Sequence, residues 1–518
     1  MAKMVLRTGK VAIKIILPFV VLGLIFFSIK KLTPATAQTE PVQSESDGQI
    51  ALIEDYREQG RYAEAEQMCQ GIITQYPGSD GAFEAQIQLV FLYISWDRPA
   101  EADAALEELT STFSENPGIS KAVYDIAEWY REFDPIKAIE IFQYVLDNYP
   151  DSNDAIWSQL GVVQSNVALG NDMAAQAAYE DMLSNFSANE DISSAICGVA
   201  EAFCEFEKYG KALEIHQYVL TNLPEAEGAL CSLAGIARVY IGLRDETSAQ
   251  SAIERILAGY SEDKNISEAV ICIANEYRYL NPQKALELYQ YVLNNIPDGE
   301  DEIWAMSGLA RSYIALGNDP NAQKVIDALL VQFSESAFIA NAVCGIADGY
   351  CDAGEYEKAL ELYQYTLQTR QDCRSQDVIL AGAGKISANI GLDNHATAET
   401  EIDELIAEFS NHPDFPETVS RIEEDYFDKV FLVKGLTEDD WLRPIWMWEK
   451  VLSADANFFY NDPDLYYFIA GCYYKIGEYG NALEYYEFTS LNWPDKKIGR
   501  DAQIMLDKVE QKLIMLAK

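Results

Sequence analysis

Apolar residues recur along most of this chain at three- and four-residue steps, in stretches the length of single helices separated by turn-forming residues. Residues 463–494 carry the pattern most fully. Tyr466, Ile469, Ala470 and Tyr473 share one helical face, Gly477-Glu-Tyr479 interrupts it, Ala482, Tyr486 and Thr489 mark a second face, and Pro494 stops the chain. Ala470 and Ala482 are small enough to let the two helices approach closely, and the tyrosines fill the space between neighbouring pairs. The pattern predicts a helix pair, here called a first and a second helix.

The same pair recurs at a fixed period. Lys137-Ala-Ile-Glu-Ile-Phe-Gln-Tyr-Val-Leu returns at Lys211, Lys284 and Lys358 in near-identical form, at steps of 74, 73 and 74 residues. Glu64 sits 73 residues before Lys137 in a related stretch, and a proline follows 13 residues after most copies, at Pro77, Pro150, Pro224 and Pro297. A second series, Ala102, Ala175, Ala249 and Ala322, lies halfway between at the same step. The unit is therefore half the step, about 37 residues, and consecutive units alternate in flavour, as duplication of a pair would leave them.

An aromatic, an aliphatic-small step and an aromatic on the first helix, Gly-x-Tyr at the turn, and alanine, an aromatic and a closing proline on the second: this pattern resembles the tetratricopeptide repeat. Residues 463–494 match it almost throughout, and pairs starting near Ile53, Ala127, Ala200, Ala237, Ala274, Ala310 and Ala347 match well. Glu207 and Arg244 stand where the turn glycine is expected, and most half-way units lack the closing proline. The resemblance implies an all-α, right-handed superhelical solenoid of stacked antiparallel helix pairs. Its concave groove would be lined by first helices and suited to an extended peptide or a partner helix. The array is expected over residues 49–400 and again over 443–497. Residues 401–442 break the rhythm, because the motif at Arg443 arrives 85 residues after Lys358; a lengthened first helix with a surface loop is expected there. Residues 498–518 read as a capping helix, needed to cover the apolar side of the last pair.

Composition changes the picture at the N-terminus. Lys3, Arg7, Lys10 and Lys14 precede an apolar run from Ile15 to Ile29, and Ala35-Thr36-Ala37 offers small residues at the spacing a signal peptidase reads. Residues 1–37 are thus a signal peptide or an uncleaved anchor spanning residues 11–29; the sequence leaves both open. Residues 38–48 form a linker. The basic flank before the run places residue 38 onward outside the cytoplasm, periplasmic or secreted.

Charge narrows the partner. The formal net charge is −45, and all six basic residues of the first 37 belong to the leader, so the remainder carries −51. So acidic a surface repels nucleic-acid backbones and anionic lipids, which leaves no nucleic-acid role and no membrane contact beyond the leader. Basic residues nevertheless recur in the slot that follows the small residue of each first helix. That slot holds Glu201, Arg238, Asn275, Arg311, Asp348 and Lys385, after Glu128 and Gln164, and Arg278 adds a charge one turn on from Asn275. In tetratricopeptide repeats this slot faces the groove. Two readings follow: a clamp for a carboxylate or acidic peptide built from Arg238, Arg311 and Lys385, or an inter-repeat ladder of opposite charges that satisfy one another.

Candidate chemistry is sparse. His216 takes the aromatic slot filled by Phe142, Tyr289 and Tyr363 in sister copies and reads as packing; His395 and His412 lie in or near turns without metal-ligand spacing. No phosphate-binding glycine loop, His-Glu-x-x-His or Gly-x-Ser-x-Gly occurs. No cofactor, metal or catalytic residue is expected, and the chain reads as a non-enzyme. Cys197 and Cys204 are seven residues apart, as are Cys344 and Cys351, about 10 Å along a helix and beyond disulfide reach. They read as small packing residues rather than a soft-metal patch, and an odd total of nine argues against a disulfide framework. Trp441, Trp446 and Trp448 cluster near the irregular segment; Trp446 replaces a Glu of the sister copies and either offers a contact surface or packs beneath the 411–440 stretch. The sequence therefore predicts an exported scaffold that binds a protein or peptide in its groove, with a place in envelope-complex assembly. The alternative is an extracytoplasmic receptor for a glycan or other small ligand, using Trp446.

Overall fold

The computed structural model describes residues 41–58, 61–96, 98–224, 228–296, 300–368, 375–409, 438–454, 463–494 and 497–516, together with Phe415, Thr418 and Ile422. The leader and its linker to residue 40 lie outside the described residues. Contacts divide the chain into two compact units, Met1–Glu54 with Tyr62–Tyr279 and Asp55–Arg61 with Leu280–Lys518.

Among the described residues every regular element is a helix. The first stretch holds α1 (Pro41–Glu58), α2 (Tyr62–Gln75), α3 (Asp80–Ser95), α4 (Pro99–Thr112), α5 (Ile119–Phe133), α6 (Pro135–Asn148), α7 (Asp154–Ala168), α8 (Asp172–Asn185), α9 (Ile192–Glu205), α10 (Tyr209–Asn222), α11 (Gly228–Gly242), α12 (Glu246–Gly259) and α13 (Ile266–Leu280). The second holds α14 (Pro282–Asn295), α15 (Glu300–Ala315), α16 (Asp319–Gln332), α17 (Ile339–Asp352), α18 (Tyr356–Gln368), α19 (Ser375–Gly391), α20 (His395–Phe409), α21 (Glu438–Ala454), α22 (Pro463–Ile476), α23 (Tyr479–Asn492) and α24 (Lys497–Leu516). The boundary between units falls inside α13, a place the repeat pattern does not mark.

Within each unit, helices adjacent in sequence pack together, and first helices also pack on the first helix of the next repeat, as α7 does on α9, α9 on α11, α15 on α17 and α17 on α19. The small slots explain the closeness. Ala127, Ala200, Ala237, Ala274, Ala310, Ala347 and Ala470 on first helices, and Ala138, Ala212, Ala285, Ala359 and Ala482 on second helices, are fully buried. A second sequence rule appears only in three dimensions. The buried rings of Phe142, His216, Tyr289 and Tyr363 each seat against a glycine of the following first helix: Gly161, Gly235, Gly308 and Gly384. A Cβ at those glycines would fall 2.1–2.3 Å from the ring, so the side chain is absent because the aromatic occupies its place.

Turns between first and second helices use two local solutions. Gly170, Gly317, Gly354 and Gly477 end a first helix in the left-handed conformation, and Glu207, Arg244 and Asp393 adopt the same conformation at φ 58°, 62° and 61°. The glycine missing from the motif at Glu207 and Arg244 therefore changes the residue, not the turn. The other solution is an Asx-Pro start: Asp134 and Asn281 accept the amides of Lys137 and Lys284 at 3.0 and 3.2 Å, with Pro135 and Pro282 next in the chain.

α22, α23 and α24 are helices over residues 463–476, 479–492 and 497–516. Most of 410–437 lies outside the described residues, as does the loop expected there. Phe415, Thr418 and Ile422 are helical and buried, spaced as one helical face, and Phe415 and Ile422 join the core of Ile402, Leu405, Trp448 and Ile469. No described helix is long and apolar enough to cross a membrane.

Candidate functional wall of first helices

The slot singled out by the repeat has the same half-buried setting in each unit. Glu201 on α9, Arg238 on α11, Asn275 and Arg278 on α13, Arg311 on α15, Asp348 on α17 and Lys385 on α19 are all half-buried, as are Glu128 and Gln164 before them. A buried alanine precedes Glu128, Glu201, Arg238, Asn275, Arg311 and Asp348, while Val163 precedes Gln164 and Gly384 precedes Lys385.

In the first unit Arg238 is the hub. Its Nη1 donates to Glu201 Oε2 at 2.6 Å on the preceding first helix, and its Nε donates to Glu276 Oε1 at 3.1 Å on the following one. Burial works against the guanidinium charge, but Glu201 and Glu276 outweigh it and hold the group firmly protonated. Arg278 turns to Asn275 Oδ1 at 3.4 Å and lies over the Tyr279 ring. Earlier in the same unit Arg131 pairs with Glu128 at 3.0 Å. In the second unit Lys385 Nζ lies 2.9 Å from Glu401 Oε1 on the second helix of its own repeat, and Asp348 accepts the Tyr363 hydroxyl. Arg311 lies against α17, its Cγ in the space that a Cβ at Gly349 would enter.

The structure thus gathers Glu201, Arg238, Asn275 and Arg278 on neighbouring helices and places Arg311, Asp348 and Lys385 in the other unit. Two cations of the expected acidic-peptide clamp meet the chain's own carboxylates, Arg238 across repeats and Lys385 within its own repeat. Glu276 and Glu401 were not picked out from sequence. Glu276 follows Asn275 directly, and a helix neighbour of a wall residue is a signal that was available.

Thiols surround the Arg238 hub. Cys197 is 2% exposed, Cys204 and Cys272 are half-buried, and Cys231 is open to solvent. Burial and Glu201 push the Cys204 thiol up, and burial takes Cys272 to about 12 with Arg238 pulling the other way. Cys344, the counterpart of Cys197, is buried with its sulfur 3.7 Å from Thr366 Oγ1. His216 is wholly buried and neither ring nitrogen has a hydrogen-bond partner; its ring helps to hold the Cys197 thiol below the ordinary thiol range. His395 sits beside Asp393 in a turn, and His412 lies outside the described residues. Among the described residues no three of His, Cys, Asp or Glu converge on a metal position.

Trp446 is half-buried against the second unit's core, with Lys450 Nζ 4.5 Å from its ring centre. Trp448 is fully buried and Trp441 packs against the same core. The tryptophans serve packing first.

The class these stacked pairs define is a helical-repeat protein. The family model described as tetratricopeptide repeat matches residues 52–79 and 121–152, so the chain carries tetratricopeptide repeats, a fold that typically serves as a non-catalytic protein-interaction scaffold. Among curated proteins none matches. Among solved structures the chain is similar to one titled "Structure of Naa15/Naa10 bound to HypK-THB", at 13% identity, covering 94% of this chain and 72% of that one, with a TM-score of 0.41. A likeness that distant carries no argument.

Proposed function

We propose that this chain is an exported, non-enzymatic scaffold that binds a protein segment along a concave groove of first helices, in service of an envelope complex. The observation that carries the reading is the strip of half-buried, chemically varied side chains on rigid, alanine-packed helices. Such a strip displays polar groups without the entropy cost of ordering a loop. In tetratricopeptide repeats this slot faces the groove. Export rests on the basic-then-apolar leader and the Ala35-Thr36-Ala37 site.

The electrostatics sharpen the partner. Glu201, Arg238 and Glu276 together carry one net negative charge, and Glu128 and Glu205 outnumber Arg131 nearby. An acidic segment would have to displace the chain's own carboxylates from Arg238, whereas a basic segment engages them as they stand. We therefore favour a basic segment of the partner over the acidic one first expected.

The test is capture by the tagged full chain after cross-linking in its source cells. Glu201→Arg with Glu276→Arg is compared with Arg238→Glu and with Glu180→Arg on the exposed side of α8. The reading expects one protein retained by the parent and by Glu180→Arg and lost with the double variant. Equal loss with Glu180→Arg, or no protein with any bait, would overturn it. Retention by the double variant with loss in Arg238→Glu would restore the acidic partner.

A further inference from the structure

Cys197 and Cys231 come from first helices of successive repeats, and no spacing within one helix brings them together. The meeting is a consequence of close packing. Gly228 N donates to Ser193 Oγ at 3.1 Å, and a Cβ on Gly228 would lie 2.8 Å from the Ser193 backbone, so α9 and α11 touch here with nothing between them. Cys197 then enters α11 as a knob among Gly228, Cys231 and Ser232. Its Sγ lies 3.3 Å from Gly228 O and 3.1 Å from Ser232 Oγ, on the face of α11 that carries Cys231. His216 approaches from the second helix of the same repeat.

We propose that Cys197 and Cys231 are a redox-active dithiol that closes to an inter-repeat disulfide when a low-molecular-weight disulfide reaches the exposed Cys231. Three observations support it. Cys197 Sγ is seated across the repeat junction against the residues either side of Cys231 on α11, 3.3 Å from Gly228 O and 3.1 Å from Ser232 Oγ. One of them is open to solvent while the other is shielded. The counterpart pair in the second unit is Cys344 and Val378, so repeat packing does not require the second thiol. A thiolate at the junction is stabilised by the partner S–H, by His216 and by Ser232, so the pair loses its first proton below the ordinary thiol range. The second proton is then held above that range.

The chemistry balances in two exchanges. The Cys231 thiolate attacks one sulfur of R–S–S–R, a protein–SR bond forms and RS⁻ leaves. The Cys197 thiolate then attacks the Cys231 sulfur, the Cys197–Cys231 bond forms and a second RS⁻ leaves. Two thiols are oxidised by two electrons, the small disulfide is reduced to two thiols, and the two cysteine protons end on the released RS⁻. The product ties α9 to α11 one turn from Glu201, and so fixes the spacing of two repeats beside the Arg238 hub.

The experiment equilibrates the folded full chain with oxidised and reduced glutathione. It then blocks the remaining thiols, denatures, and maps cysteines by mass spectrometry. The expected result is the loss of two of the nine thiols, recovered as one Cys197–Cys231 linked peptide, with Cys344 still reduced. Cys197→Ser should leave a stable glutathione adduct on Cys231. Cys231→Ser should leave Cys197 a free thiol. His216→Phe, which restores the ring of the Phe142 copy, should keep the fold and move the pH profile of oxidation upward. A stable glutathione adduct on Cys231 of the parent with Cys197 free would overturn the proposal, as would oxidation unchanged in Cys231→Ser.

Discussion

Glu201, His216 and Arg238 stand at the same repeat positions as Asp348, Tyr363 and Lys385, 147 residues later, yet the two sets are wired differently. In the second unit the Tyr363 hydroxyl reaches out from beneath Gly384, donates to Asp348 and lies 3.8 Å from the Cys351 sulfur. The carboxylate is held inside its own repeat, and Lys385 turns to Glu401 in its own repeat as well. In the first unit an imidazole fills the slot and has no hydroxyl to offer. Glu201 then takes Arg238 from the next repeat, and the guanidinium fork reaches on to Glu276. These two repeats differ both in the buried ring, imidazole or phenol, and in whether the wall carboxylate is held across repeats or within one.

The comparison can be broken from its widest common feature inward. Both units tie a tyrosine hydroxyl to a carboxylate of the preceding second helix: Tyr93 to Glu66 at 2.6 Å, Tyr277 to Glu246 at 3.0 Å and Tyr473 to Glu449. Burial first, and the carboxylate second, raises each phenol, that of Tyr93 to about 12. The unfolded chain loses these protons near pH 10 while the folded chain keeps them. Stability is therefore fully present below about pH 10 and falls as pH rises toward the folded values. Helical circular dichroism should collapse in both units above that pH, in step with a late rise in tyrosinate absorbance from the buried phenols. Tyrosinate appearing while the helices stay intact would contradict the assignment.

The wall charges separate the units. Arg238→Ala leaves two half-buried carboxylates facing each other and should cost about 1–3 kcal/mol in denaturant titration. Lys385→Ala removes one half-buried partner and should cost less than about 1 kcal/mol. Equal losses would mean that the cross-repeat wiring adds nothing. Tyr363→Phe should cost about 1 kcal/mol. Conversely, His216→Tyr should supply the missing hydroxyl and weaken the Glu201–Arg238 coupling in a double-mutant cycle. The smallest effect belongs to the turns. Glu207→Gly and Arg244→Gly relieve a left-handed backbone and should each stabilise by no more than about 1 kcal/mol, in thermal melts, without touching the wall.

Much of the fold was legible because its causes are local and repeated. The Ala470–Ala482 pattern fixes which faces meet, with α22 over residues 463–476 and α23 over 479–492. The wall slot was legible for the same reason, since it follows a buried alanine in most copies, with Val163 and Gly384 the exceptions. What the slots do was not legible. Arg238 engages Glu201 and Glu276 rather than lying open because side chains 37 and 38 residues away meet only after stacking. The Cys197–Cys231 meeting depends on the close approach at Gly228, which the heptad-like spacing of Cys197 and Cys204 does not reveal. His216 read correctly as a packing ring, but its sulfur neighbour lies on another helix.

The most direct test of the central claim places a photoactivated cross-linking residue at single positions of the full chain in its source cells. Gln164 and Asn275 report the wall, while Glu180 and Glu254 report the exposed sides of second helices α8 and α12. The account predicts that both wall positions cross-link to one and the same protein and that the second-helix positions do not. Cross-links to that protein from Glu180 or Glu254, with none from Gln164 or Asn275, would contradict it.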